Sequence, residues 1–305
     1  MRITGTLQSR RSSVTRLIGS VLGSLLVVLA FTGAAAAPAD NGGRPTVARA
    51  APPVLEVVAM DYAFRLPDTV RAGVTTVRLI NRGQHMHHIQ LVRLDGGHTI
   101  ADLLRAWKPG VPTPRWMTGV GGPTAPVGGQ TLDALVVLRP GRYGVLCWVP
   151  AADGQLHFQK GMFGQFEVAA PSGGAAEAPL ATALPPADVT ITMVDYGYVM
   201  PGIARGRHTV RVFNGGPQSH ELVLVRLASG RTARDAAAWA ERGQTGDAPG
   251  TMVGGVAALA PGGVAQFAAD FPAGQYALIC FVPDQKDGTG RPHTEHGMLR
   301  QFAVR

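Results

Sequence analysis

The sequence predicts an all-β protein made of two tandem Greek-key β-sandwich domains, each carrying one short inserted helix. Three observations predict this. Of 305 residues, 46% are hydrophobic and only 6% aromatic, with 40 Gly and 23 Pro, a balance that suits short strands and frequent turns. The apolar runs are short, rich in Val, Leu and Ile, and bounded by Gly, Pro or Asn. The chain also repeats itself. Met60-Asp61-Tyr62-Ala63-Phe64 returns as Val194-Asp195-Tyr196-Gly197-Tyr198, Asn81 to Leu94 returns as Asn214 to Leu227, Gly121-Gly122 as Gly254-Gly255, and Cys147 as Cys280. One unit of about 115 residues was duplicated.

Residues 1–36 read as an export signal: four arginines, an apolar stretch from Leu17 to Phe31, then small residues at Ala34 to Ala37. The apolar stretch is short for a bilayer span and contains Gly19, Ser20, Gly23 and Ser24, so cleavage is predicted and no stable membrane insertion afterwards. That places the mature chain in the periplasm or outside the cell. Residues 37–53 form an Ala/Pro/Gly-rich tether, 54–169 the first domain, 170–187 a second linker and 188–305 the second domain. The formal charge of +8 rests on 28 basic and 20 acidic residues. Without the four arginines of the signal, 24 basic residues face those 20 acidic ones, and no basic stripe remains for nucleic acid.

Within the first unit the predicted strands are Val54 to Val58, Val74 to Ile80, Ile89 to Leu94, Leu132 to Leu138, Tyr143 to Val149 and Gly164 to Val168. A helix interrupts them from Thr99 to Trp107, with Ile100, Leu103, Leu104 and Trp107 at helical spacing, and its counterpart runs from Thr232 to Arg242. It caps the sandwich and carries no repeated chemical group. The Gly-Gly pairs at Gly121 and Gly254 are expected in loops, serving tight turns.

Alternation puts Tyr143, Val145 and Cys147 on one strand face, and Tyr276, Leu278 and Cys280 on the corresponding face. After each cysteine come a histidine and a Gly-Met pair: His157 and Gly161-Met162, then His293 and Gly297-Met298. An earlier histidine follows an Asn-x-Gly motif in each unit, His87 after Asn81-Arg82-Gly83 and His220 after Asn214-Gly215-Gly216. Thiol, imidazole and thioether recurring together make a soft-metal constellation, and copper is the metal it suggests. Zinc could take a His/Cys/His set, but the repeated methionine favours the softer ion. Singly, each residue has an ordinary reading as an inert core thiol, a packing methionine or a solvated loop histidine. A Cys147–Cys280 disulfide would require two interior positions of separate sandwiches to meet.

In its order of His, Cys, His and Met, its Asn-x-Gly, its Gly-x-Tyr-x-x-x-Cys and its Gly-Met before the last strand, each unit resembles the cupredoxins, the blue copper family. The resemblance implies two copper sites: His87, Cys147, His157 and Met162, and His220, Cys280, His293 and Met298. Cys would be the strong equatorial ligand, the histidines its equatorial partners and Met the axial one, with Asn81 and Asn214 bracing the ligand loops. Nine residues separate Cys147 from His157 and twelve separate Cys280 from His293, longer loops than is usual in the family, which leaves His296 as a substitute for His293. His85, His88 and His296 are not repeated, being matched by Gln218, Glu221 and Lys160, and are expected at the surface or in accessory roles.

The function implied is copper-linked electron transfer or copper handling, with a redox or copper-donor protein as partner. The alternative is a binding or scaffold module that keeps the sandwich without its metal. An oxidase reading fits poorly, because Leu146 and Trp148 flank one cysteine and Ile279 and Phe281 the other, with no adjacent histidine. The chain lacks the Gly-x-Ser-x-Gly, His-Glu-x-x-His and phosphate-loop motifs of other catalytic classes.

Overall fold

The computed structural model describes residues 51–170 and 184–305. The export segment 1–36, most of the tether 37–53 and most of the linker 170–187 lie outside the described residues. In the first half the elements are β1 (Val54–Met60), β2 (Ala63–Arg65), β3 (Thr69–Arg71), β4 (Gly73–Asn81), β5 (Gln90–Leu94), α1 (Ile100–Ala106), β6 (Met117–Gly121), β7 (Thr131–Leu138), β8 (Gly141–Leu146), a 3-10 turn (His157–Lys160) and β9 (Phe163–Ala169). In the second half they are β10 (Val189–Val194), β11 (Gly197–Val199), β12 (Gly206–Asn214), β13 (His220–Leu227), α2 (Ala233–Glu241), β14 (Gly250–Leu259), β15 (Val264–Phe271), β16 (Gly274–Ile279) and β17 (Leu299–Val304). The described chain is therefore nearly all β, as the composition implied.

Alternation explains which faces are buried. In β1, Leu55, Val57 and Ala59 point inward. In β8, Tyr143 and Val145 enter the main core with Cys147, while Leu146 turns to the opposite face and packs with Val92, Leu94, Ile100 and Leu103 beneath α1. Each helix begins at a threonine. The Thr99 hydroxyl accepts from the Asp102 amide while the Asp102 carboxylate accepts from the Thr99 amide, and Thr232 with Asp235 repeats the arrangement. A Tyr corner closes the cysteine strand in both halves, Tyr143 Oη donating to Arg139 O and Tyr276 Oη to Pro272 O.

Strands of the two halves share two sheets. One runs β11-β10-β12-β15-β7-β4-β1-β2 and the other β17-β16-β13-β14-β6-β5-β8-β9-β3. The halves meet where β7 pairs with β15 and β6 with β14. Gln90, nearly fully buried, completes this seam: its amide donates to Ala258 O and accepts from Ala258 N, at 2.9 and 2.8 Å. Edge strands that would otherwise present unpaired backbone groups are thereby covered.

The Gly-Gly pairs are not in tight turns. Gly121 ends β6, and Gly254 and Gly255 lie inside β14, all at positive φ where register shifts interrupt the ladder. A Cβ on Gly255 would stand 2.1 Å from Leu222 O, and one on Gly122 2.4 Å from Ile89 O. Glycine is required here because the neighbouring backbone, leading from the early histidine, passes too close for a side chain.

Candidate metal centres

Each early histidine is set by its Asn-x-Gly motif. Asn81, at the end of β4 and 1% exposed, donates from Nδ2 to His85 O (2.7 Å) and Pro126 O (2.9 Å), while its Oδ1 accepts from Gly83 N (2.9 Å). Asn214 repeats this with Gln218 O, Leu259 O and Gly216 N. The glycine serves close approach: a Cβ on Gly83 would lie 2.3 Å from Asp61 Oδ1 and 2.9 Å from His87 Nε2, and one on Gly216 would lie 2.7 Å from His220 Nε2. The turn thus runs directly over a contact between the early histidine and an aspartate from the end of the first strand.

That contact orients the imidazole. His87 Nε2 is 3.0 Å from Asp61 Oδ1, and His220 Nε2 is 2.5 Å from Asp195 Oδ1. A carboxylate only accepts, so Nε2 carries the proton and Nδ1 presents its lone pair inward. Burial raises the Asp61 carboxyl, but hydrogen bonds from the Gln84 and His85 amides and the two imidazoles outweigh it and hold the group well below the ordinary carboxylate range.

The late residues come from the end of the cysteine strand and the turn that follows. In the first half, Cys147 N donates to Met162 O, His157 N to Val149 O and Met162 N to His157 O. In the second, Cys280 N donates to Met298 O, His293 N to Val282 O and Met298 N to His293 O. The unequal loops do not move the histidine. Each pinches back on itself, at Pro150 with Leu156 and at Pro283 with Pro292. The three additional residues of the second loop lie beyond the pinch.

Cys147, His87 and His157 therefore converge, as do Cys280, His220 and His293. Within each trio the ligating atoms all lie within 4.8 Å of one another. His87 Nδ1 is 3.0 Å from His157 Nδ1, which is 3.5 Å from Cys147 Sγ; the second trio shows 3.0 and 3.3 Å. All six residues, and Met162 and Met298, are at most 1% exposed, and both cysteines are free thiols. Burial pushes the Cys147 thiol up to about 12 and Cys280 well above its ordinary value. Burial, reinforced by the neighbouring imidazole, lowers His157 and His293 to about 4. Both imidazoles are thus neutral near pH 7, the form that can ligate. One thiol and two inward Nδ1 atoms, the orientation of one fixed by a carboxylate, fit a soft cation such as copper.

Other residues at these centres were not legible as such. Tyr62 and Tyr196 stand edge-on to His157 and His293, with ring centroids 5.0 and 5.2 Å away. His88 is buried, not at the surface as expected, because its Nδ1 accepts from Trp148 N (3.2 Å). Its counterpart Glu221 accepts from Phe281 N (2.8 Å). The two positions share one task, receiving the amide that follows the cysteine, which is why residues so different can exchange. His85 is the more exposed, stacked on Tyr62. It is His293, not His296, that faces Cys280. His296 stacks on Tyr196 with Nε2 3.2 Å from Asp287. The repeated Asp-Tyr pair and the position after the early histidine were the available signals.

An early histidine is thus brought against a late Cys and His in each half, with the Met backbone bonded to both late residues. No protein-family model and no curated protein matches the chain. Among solved structures it is similar to dithionite-reduced auracyanin from Roseiflexus castenholzii, at 21% identity over 38% of this chain and 96% of that one, with a TM-score of 0.28. It is also similar to auracyanin A, a blue copper protein from Chloroflexus aurantiacus, at 20% identity over 39% and 100%, TM-score 0.28. Over a longer span it is similar to a blue copper oxidase from Nitrosomonas europaea, at 14% identity over 84% and 86%, TM-score 0.25.

Proposed function

We propose that this chain is an exported copper protein with two type 1-like sites, on tandem Greek-key units spanning 54–169 and 188–305, that carries electrons or copper for a redox or copper-donor partner. The observation that carries the reading is the convergence of two Nδ1 atoms on one buried thiol, made twice with the same backbone bonds. In this reading His87, Cys147, His157 and Met162 would hold one copper ion, and His220, Cys280, His293 and Met298 the other. Copper so held would supply a one-electron couple. The protein's residues do the rest. Asp61 and Asp195 keep one imidazole in the ligating tautomer, the buried trios exclude water, and the Asn-x-Gly turns hold the early histidine in place. The neighbours of each cysteine are Leu146 and Trp148, and Ile279 and Phe281, which favours a carrier over an oxidase. Export follows from residues 1–36. Among the described residues no helix is long and apolar enough to cross a membrane.

The test is the absorption spectrum of the mature protein after Cu(II) addition, repeated for Cys147→Ser and Cys280→Ser. The expected result is an intense visible thiolate-to-copper band that each substitution diminishes and both abolish. Absence of the band, together with absence of tight Cu(I) uptake, would overturn the proposal in favour of a metal-free binding module.

A further inference from the structure

The two trios are alike in the residues that face inward but not in what stands behind them. In both halves the late histidine's Nε2, that of His157 and that of His293, is buried with no hydrogen-bond partner. In the second, His293 Nε2 faces Asp284 Oδ2 at 3.6 Å, and neither side chain has any exposed surface. Asp284 follows Pro283 as Ala151 follows Pro150, so the first half has no carboxylate at this place. Asp284 accepts from Tyr196 Oη (2.5 Å), Gln218 Nε2 (3.0 Å) and the Lys286 and Asp287 amides (2.7 and 2.8 Å). Four donors stabilise the ionised form. The position after the early histidine adds to the contrast: Glu221 in the second half, with its amide 3.4 Å from Cys280 Sγ, and His88 in the first. Charges of the other sign are also present. Lys286 pairs with Asp195, and Lys160 pairs with Asp153 while lying 5.2 Å over the Tyr62 ring. Since a lysine stands near each trio, the difference left lies in the buried acids, Glu221 and the Asp284 carboxylate behind His293, and it is Asp284 that four donors hold.

We propose that Asp284, by its buried charge behind His293, makes the second centre favour Cu(II) and leaves the first favouring Cu(I). The proposal rests on the copper reading above. A buried negative charge stabilises the more highly charged ion, and does so more strongly in a low-dielectric interior than in water. The second centre would therefore be the harder of the two to reduce.

The experiment compares Cys147→Ser, which isolates the second centre, with Cys280→Ser, which isolates the first. The affinity of each for Cu(II) and for Cu(I) is measured by competition with chelators specific to each ion. The expected ratio of Cu(II) to Cu(I) affinity is about tenfold higher at the second centre, equivalent to a potential ~59 mV lower for a one-electron couple. Asp284→Asn in the Cys147→Ser background is expected to remove most of that difference. Ala151→Asp in the Cys280→Ser background is expected to raise the first centre's ratio, and it decides the matter if Asp284→Asn disturbs its loop. Equal ratios at the two centres, or ratios that neither substitution moves, would overturn this inference while leaving the copper reading intact. Failure of both centres to take up copper would overturn both.

Discussion

Replacing Asn81 tests whether the Asn-x-Gly turn is held by one buried amide. Asn81→Ala removes two donated hydrogen bonds and one accepted one, leaving His85 O, Pro126 O and Gly83 N without their partner. The backbone bonds of residue 81, to Gln130 O and from Gly129 N, are untouched. At about 1 kcal/mol net for each lost bond the first half should lose ~3 kcal/mol. Asn81→Asp makes a sharper test. It places an oxygen where Nδ2 stands, 2.7 and 2.9 Å from two carbonyl oxygens, and introduces a charge at a site 1% exposed. Attraction becomes repulsion and a buried charge lacks a partner, so the loss should exceed that of alanine by ~2 kcal/mol or more. Three of the four tryptophans, Trp107, Trp116 and Trp148, lie in the first half, so urea unfolding followed by fluorescence reports chiefly on it. In a Cys280→Ser background, thiol labelling of the fully buried Cys147 provides an independent measure of local opening. An Asn81→Asp protein as stable as Asn81→Ala, or an alanine variant within ~0.5 kcal/mol of the parent, would refute the amide orientation and the bracing role together.

Gly83→Ala should lower copper affinity about 10- to 100-fold at the first centre, measured by chelator competition in the Cys280→Ser background, because the new Cβ displaces the Asp61 carboxylate from His87. The metal-free protein should lose stability on acidification: His157 and His293 have folded values lowered to about 4 against an ordinary 6.5. Above pH 6.5 neither state is protonated and these groups contribute nothing. Below it only the unfolded chain binds protons, so the unfolding free energy from urea titration should fall between pH 6.5 and 4, by at most roughly 3 kcal/mol per histidine, whereas a flat profile would show the imidazoles are not buried neutral. Met162→Leu and Met298→Leu should change stability by less than ~1.5 kcal/mol, since volume is conserved, while altering the copper potential of their own centre alone; an unchanged potential would remove Met from the ligand set.

How far the sequence reveals this arrangement depends on the range of the interaction concerned. The helix limits at Thr99 and Thr232 were legible because capping acts within four residues. The inward face of Cys147 followed from strand alternation, and the grouping of the early histidine with the late Cys and His was what the cupredoxin resemblance implied. Strands β2 and β3, three residues each, are too short to show a period, and β6 carries Gly119 and Gly121, which read as loop. The seam between halves depends on Gln90 meeting Ala258, a contact 168 residues apart with no periodic signature. The long Cys-to-His loops suggested a displaced histidine, since length alone does not reveal that prolines pinch them closed. Asp61 and Tyr62 were visible as a repeated pair, but the role of each lies in what it touches across the fold.

Comparison of the two halves separates what builds a centre from what adjusts it. Every group that presents or braces an Nδ1 or the thiol is the same residue in both: Asn81 and Asn214, Gly83 and Gly216, Asp61 and Asp195, and the trios themselves. The substitutions fall one contact further out: His85 for Gln218, His88 for Glu221, Ala151 for Asp284, Lys160 for His296. Several of these change charge, and none alters the inward donor set. A pair of sites drifting without constraint would lose ligands as readily as neighbours, because a buried histidine or thiol is no harder to replace than a buried aspartate. On the copper reading proposed above, retaining one donor set twice while changing the charge behind it would give one chain two centres of the same chemistry and different energy, and Asp284 is the most deeply buried of the residues by which they differ.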